Sequence, residues 1–117
     1  MINVQDLETA VRLGLKNLIY VIANNNAWGM IKSGQKLAMG KRFIDVDLPE
    51  FNYAKCAEGF GCWAEVVSEP NQIKPALERA KNSGKPAVLD VKIAFETPHT
   101  TKFYNYSFLL YKSIFFL

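Results

Sequence analysis

Asn24, Asn25 and Asn26 stand in a row after the apolar run Tyr20-Val21-Ile22-Ala23, and Ala27-Trp28-Gly29-Met30 follow them. An asparagine side chain offers a neutral oxygen, which a hard cation such as Mg²⁺ accepts in its oxygen shell. By type alone, such a cluster also suits a turn or a helix cap. From the residues alone the turn or cap is the more frequent reading, but position leaves a ligand open. In an open parallel sheet, ligands bind beyond the carboxyl ends of the strands, and these asparagines close a strand-like run. A cofactor site is therefore the first reading to test.

The other reactive side chains are less organised. Asp45 and Asp47 are close in sequence, but no second cluster completes a site, so they read as turn and cap residues. Gly40-Lys41-Arg42 lacks the glycine spacing of a P-loop and reads as a solvated turn. His99 is the sole histidine and has no triad partners nearby, so an exposed loop position is expected. Cys56 and Cys62 are too far apart for a metal-type pair, with no histidine beside them. Buried, reduced thiols of a cytoplasmic protein are the simpler reading. No residue is assigned a catalytic role.

The elements that must position the asparagines follow from the apolar pattern. Val4, Leu7, Ala10, Val11 and Gly14 recur at helical spacing, with Asn3 as a cap and Gly14 as a stop. Leu18 to Ala23 is an unbroken apolar run, expected of a strand buried on both faces. A helix over Gly29 to Leu37 comes next, then a loop over Gly40 to Glu50. Asp45, Asp47 and Pro49 lead from that loop into a helix at Phe51 to Phe60, closed by Gly61. Gly59 inside it costs about 1 kcal/mol against alanine, a sign of close packing or relaxed constraint.

Trp63 to Val67 is a short strand. Pro70 opens a helix with Ile73, Ala76, Leu77 and Ala80 as its buried face, Pro75 in its first turns and Gly84 at its end. Pro86 introduces the strand Ala87 to Ile93. Helix and strand alternate, so the class is α/β: a three-layer α/β/α arrangement with a mostly parallel sheet and right-handed crossovers.

A chain of 117 residues, 50% hydrophobic with a formal charge of +3, suits one core. Lys32, Lys36, Lys41 and Arg42 are scattered evenly, as on a solvated face, and no basic stripe with interleaved aromatics points to nucleic acid. Asp6, Glu8 and Arg12 interrupt any early signal-like run. The apolar string Phe103 to Leu117 is shorter than the roughly 20 residues that span a bilayer, and Lys112 breaks it, so no membrane anchor is expected.

Asn3-Val4-Gln5-Asp6-Leu7-Glu8-Thr9-Ala10, then Asn24-Asn25 and Gly29-Met30, resemble the diphosphate-binding domain of thiamine diphosphate enzymes. Asp47-Leu48-Pro49, Ala57, Phe60-Gly61, Pro70 to Ala80 and Gly84-Lys85-Pro86-Ala87 continue the pattern in order. The branch most similar is the acetolactate synthase and benzoylformate decarboxylase one. The resemblance covers Asn3 to Ile93 and implies a partial diphosphate-binding domain over 1–96, followed by an atypical aromatic tail over 97–117.

The resemblance implies thiamine diphosphate and Mg²⁺ as cofactors and a 2-oxo acid as substrate. Asn25 would bind the metal through its side chain and Ala27 through its carbonyl. Asn24 would hold the turn, and Trp28, Gly29 and Met30 would line the diphosphate end, where helix-start amides meet phosphate oxygens. The cofactor carries the difficult step, adding to the 2-oxo acid and stabilising the carbanion that decarboxylation leaves. Decarboxylase, carboligase, lyase and transferase outcomes all stay open.

The family's anionic metal ligand lies in a Gly-Asp-Gly motif that the spacing places before Met1. Its activating glutamate belongs to a pyrimidine-binding domain, and no Glu here inherits that role. The expectation is thus a truncated domain, incomplete at the amino-terminal edge of its sheet and inactive alone. A homo-oligomer or a complementary subunit would complete it. The alternative is a non-catalytic remnant or interaction module that keeps the α/β fold and associates through its open edge and its tail.

Overall fold

The computed structural model of the protein describes residues 3–95. His99, the aromatic tail and the boundary at 96/97 lie outside the described residues.

Helix α1 (Asp6–Arg12) turns Leu7 and Ala10 inward and carries Asp6 and Glu8 in its first turn and Arg12 in its last. That charge order complements the helix dipole. Asn3 does not cap it by side chain: the cap position is Gln5, and Asn3 supplies only its backbone carbonyl, to the Asp6 amide at 3.1 Å. Gly14, at φ +65°, turns the chain out of the helix.

Strands β1 (Ile19–Asn24), β2 (Trp63–Val67) and β3 (Ala87–Lys92) form a parallel sheet in the order β1-β3-β2. Among the described residues, the strand latest in sequence is thus the central one. β3 is flanked on both sides, and its first four residues, Ala87 to Asp90, are buried.

Helices cover both faces. Leu7 of α1 and Ala57 of α3 (Tyr53–Gly59) pack with Cys62 and Val88, and Tyr20 and Ile22 join them. On the opposite face Ala76 of α4 (Ile73–Asn82) meets Val67 and Leu89. This is the expected three-layer α/β/α fold, and β1, like β2, stands at an open edge among the described residues. A cavity of about 330 Å³ lies beside β1, lined by Asn3, Val4, Asp6, Leu7, Tyr20, Ile22 and Val88.

Several local expectations need correction. β1 is not buried on both faces: Tyr20 and Ile22 pack inward, whereas Val21 is 57% exposed. The reason is that α4 packs chiefly over β2 and β3, and of β1 only Ile19 joins the cluster beneath it. Ile73 and Leu77 are exposed too, and α4 seats on the small residues Ala76 and Ala80. Pro75 sits in its first turn, where the missing N–H has no intrahelical partner to lose. The cap of α3 is Asn52, whose side-chain oxygen accepts from the Lys55 amide at 2.9 Å, so neither Asp45 nor Asp47 caps it. Gly59 faces open space, which removes close packing as its reason.

Candidate functional site

β1 delivers Asn24 to the carboxyl end of the sheet, beside Lys92 of β3. The Asn24 side chain is buried and fully engaged. Its amide nitrogen donates to Asp90 Oδ1 at 2.9 Å and to the Phe51 carbonyl at 3.4 Å. Its oxygen accepts from the Asn26 backbone amide at 3.1 Å. The next residue repeats the motif: Asn25 Oδ1 accepts from the Ala27 amide at 3.1 Å. Two successive Asx turns carry the chain off the strand, and Asn26 takes a left-handed φ of +49°, which asparagine tolerates.

The loop that reads in sequence as a plain connection is pinned to this turn. The Trp28 amide donates to the Val46 carbonyl, and the Leu48 amide donates to the Asn26 carbonyl, each at 2.8 Å. Ala27 and Asp47 face each other as an isolated antiparallel bridge. Helix α2 (Gly29–Ala38) starts directly afterwards, with no acidic residue in its first turn.

Two side chains fasten α2 to the same loop. Gln35 Nε2 donates to the Ile44 carbonyl at 3.1 Å, and its oxygen accepts from the Ile44 amide at 2.9 Å. Lys32 pairs with the Asp47 carboxylate, and its ammonium lies 5.5 Å from the Phe43 ring centre and 4.9 Å from that of Phe95. Lys32 is therefore not part of a solvated face, and Asp47 is its counter-ion.

The structure brings Asn24, Asn25, Ala27 and Gly29 together around one turn. A β-carbon built on Gly29 would lie 2.9 Å from Asn25 Nδ2. Trp28 and Met30 are 52% and 78% exposed, so both are open to a ligand or a partner.

The donor set can be tested against a hard cation. Asn25 Oδ1 has one lone pair committed to Ala27 and a second to offer. No backbone amide of the described residues donates to the Ala27 carbonyl. Two neutral oxygens beside a helix amino-terminus are compatible with Mg²⁺ that also holds phosphate oxygens. Among the described residues no group of three or more His, Cys, Asp or Glu could hold a metal. The 330 Å³ cavity lies on the α1 side and is not lined by this turn.

Asp90 is the residue that sequence reasoning missed. It is fully buried, and beyond Asn24 it accepts from the Tyr53 amide at 3.2 Å and pairs with Lys92 Nζ at 3.1 Å, both through Oδ2. A lone carboxylate inside the apolar run Ala87 to Ile93 was the available signal, because a buried charge requires partners. Cys62, away from this site, is buried, and that burial pushes its thiol up against the smaller lowering effect of Lys85. Among the described residues no helix is long and apolar enough to cross a membrane.

Comparison with known proteins adds the family context. Residues 1–91 match the model of the thiamine pyrophosphate enzyme C-terminal TPP-binding domain. The chain is 36% identical over 74 residues to the acetolactate synthase large subunit IlvG of Mycobacterium tuberculosis, covering 63% of this chain and 14% of that protein. It is 34% identical over 96 residues to a probable acetolactate synthase large subunit of Methanococcus aeolicus, covering 80% and 16%. The fold superposes on a thiamine diphosphate-dependent 4-hydroxybenzoylformate decarboxylase of Rhodococcus jostii with TM-score 0.72 at 20% identity, over 81% of this chain and 18% of that one. The chain thus spans less than a fifth of the length of each of these relatives.

Proposed function

This chain belongs to the C-terminal TPP-binding domain family of thiamine pyrophosphate enzymes, and from that premise we propose that it supplies the diphosphate and Mg²⁺ end of the cofactor site in an acetolactate synthase-like enzyme acting on 2-oxo acids. The observation that carries the reading is the Asn24–Gly29 turn at the carboxyl end of a parallel strand, with the Asn25 side chain against the first residue of α2.

In this reading the Asn25 side chain and the Ala27 carbonyl are metal ligands, and Asn24 holds the turn from beneath. The amides at Gly29 and Met30 meet diphosphate oxygens, and the absence of an acid in the first turn of α2 keeps that end attractive to an anion. The exposed faces of Trp28 and Met30 close over the diphosphate or meet the domain that completes the site. When bound, the cofactor supplies the electron sink for breaking or forming the bond beside a 2-oxo acid's carbonyl. The residues of this chain anchor and orient it. A further domain or a complementary subunit supplies the remaining groups, so the chain is inactive alone.

Titrating thiamine diphosphate into the protein with and without Mg²⁺ tests the assignment. Binding should depend on Mg²⁺ and weaken at least tenfold in Asn25→Ala. Equal affinity in that variant would remove Asn25 from the metal shell.

A second reading, a non-catalytic interaction module, is favoured by the open β1 edge and by the exposure of Val21 above it. An unpaired strand edge beside apolar surface is a template for association. That reading expects oligomers whose mass in solution does not respond to cofactor. A cofactor-dependent change of mass would oppose it.

A further inference from the structure

We propose that Asp90 is a positioning residue for the metal-facing turn: its carboxylate sets which end of the Asn24 amide faces β3, and so fixes Asn25 and Ala27. The inference rests on the proposed role of those two residues toward Mg²⁺.

A carboxylate can only accept hydrogen bonds, whereas a carboxamide has a donating and an accepting end. Asp90 Oδ1 lies 2.9 Å from Asn24 Nδ2, so it admits only the nitrogen end. The Asn24 oxygen must then point the other way, where the Asn26 amide meets it at 3.1 Å. Reversing the Asn24 amide would set two oxygens against each other and two donors against each other. Orientation is therefore decided at Asn24, three residues before the turn closes at Ala27.

The second oxygen of Asp90 ties the same point to the rest of the domain. It accepts from the Tyr53 amide at the start of α3 and from Lys92 Nζ, which also reaches the Phe51 carbonyl at 3.3 Å. The Phe51 carbonyl in turn accepts from Asn24. The end of β1, the end of β3 and the entry to α3 thus meet at one buried carboxylate. An apolar side chain at position 90 would fill the space but would remove the shortest of the bonds that orient the Asn24 amide, leaving the 3.4 Å bond to the Phe51 carbonyl and the Asn26 amide to hold it. Asp90 is itself wholly enclosed, and each of its oxygens is committed within the chain, so it acts through Asn24 and not on the ion.

The test compares the full chain with Asp90→Asn, Asn24→Asp and the double exchange carrying both. Hydrogen exchange of the Asn26 and Ala27 amides reports the turn, with the Leu89 amide in the central strand as control. Mg²⁺-dependent titration of thiamine diphosphate reports the site. Asp90→Asn should speed exchange at Asn26 and Ala27 at least tenfold relative to Leu89 and weaken cofactor affinity by about tenfold, the lower range for lost support behind a metal ligand. The double exchange puts the acceptor on β1 and the donor on β3, and it should recover most of both losses. Exchange that rises no more at Asn26 and Ala27 than at Leu89 would make Asp90 merely structural and overturn the proposal. A double exchange that recovers neither readout would do the same.

If Asp90→Asn alone does not fold, the double exchange still decides. Folding with Asn26 and Ala27 protected supports the pairing, and failure to fold counts against it. If the unaltered chain binds no Mg²⁺ and cofactor while the exchange pattern holds, the metal reading fails and the positioning of the turn stands.

Discussion

Gly29 lies so close to Asn25 that any β-carbon at position 29 would stand 2.9 Å from the Asn25 amide nitrogen. The contact is to the far end of a side chain, so the fold can accommodate alanine by moving Asn25. Alanine is also the better residue inside a helix by about 1 kcal/mol. Gly29→Ala should therefore leave the melting temperature within a few degrees and still weaken Mg²⁺-dependent thiamine diphosphate binding at least tenfold. Calorimetry on one sample gives both values. Unchanged binding would show that the orientation of Asn25 is irrelevant to the site.

Leu89 is fully buried at the centre of the sheet, between Val67 and Ala76 on the α4 face. Leu89→Ala should cost about 2–5 kcal/mol, the range for a truncated core leucine. Such a loss is a large part of the 5–15 kcal/mol typical of a whole domain. Urea unfolding followed by circular dichroism should show the midpoint fall sharply. A shift of under about 0.5 kcal/mol, as for a surface change, would mean that this face is not a packed core.

Glu65 on β2 and Arg79 on α4 form a two-pronged ion pair, with Arg79 Nε at 2.9 Å. The hydrogen bond from Arg79 holds the Glu65 carboxyl below its ordinary value of 4.5, against a smaller opposing effect of burial. The pair's stabilisation is thus fully present above pH 4.5 and is lost as pH falls through the lowered value. Glu65→Gln should remove this part of the acid dependence, so the stability of the two proteins should converge at low pH. Because Arg79 is exposed, the gap at neutral pH should be small. Parallel stability curves from pH 3 to 7 would exclude a contribution from the pair.

Cys62 is buried and its thiol is pushed up, whereas Cys56 is only partly covered. The thiolate is the reactive form, so iodoacetamide at neutral pH should label Cys56 well before Cys62. Peptide mass mapping over time checks the order. Equal rates would indicate that the α3–β2 junction opens readily.

The alternation of helix and strand was legible because each element carries its own local signal: Gly14, Gly61 and Gly84 as stops, and Pro70 and Pro86 as starts. What was illegible depends on pairing across the chain. The exposure of Val21 follows from which strand stands at the edge, and the run Tyr20 to Ala23 carries no mark of that. The asparagine cluster could be located by type and position, yet its support could not. Asn24 and Asp90 are 66 residues apart, and Lys32 and Asp47 are 15 apart. Asp47 looked like a cap because carboxylates favour helix starts, but the Lys32 ammonium between two rings claimed it instead.

The order β1-β3-β2 also governs how the domain can assemble. Among the described residues, β1 and β2 each pair only with β3, which follows both in sequence. On a ribosome, both earlier strands are made before either can form its native ladder. Their apolar faces must wait, shielded only by local helices, until Ala87 to Lys92 emerge. Long-range parallel pairing is intrinsically slow, and unpaired edges invite aggregation in the interval. Among the described residues β3 is therefore the keystone of the sheet, and a chain stalled before Ala87 would have β1 and β2 without the strand that joins them.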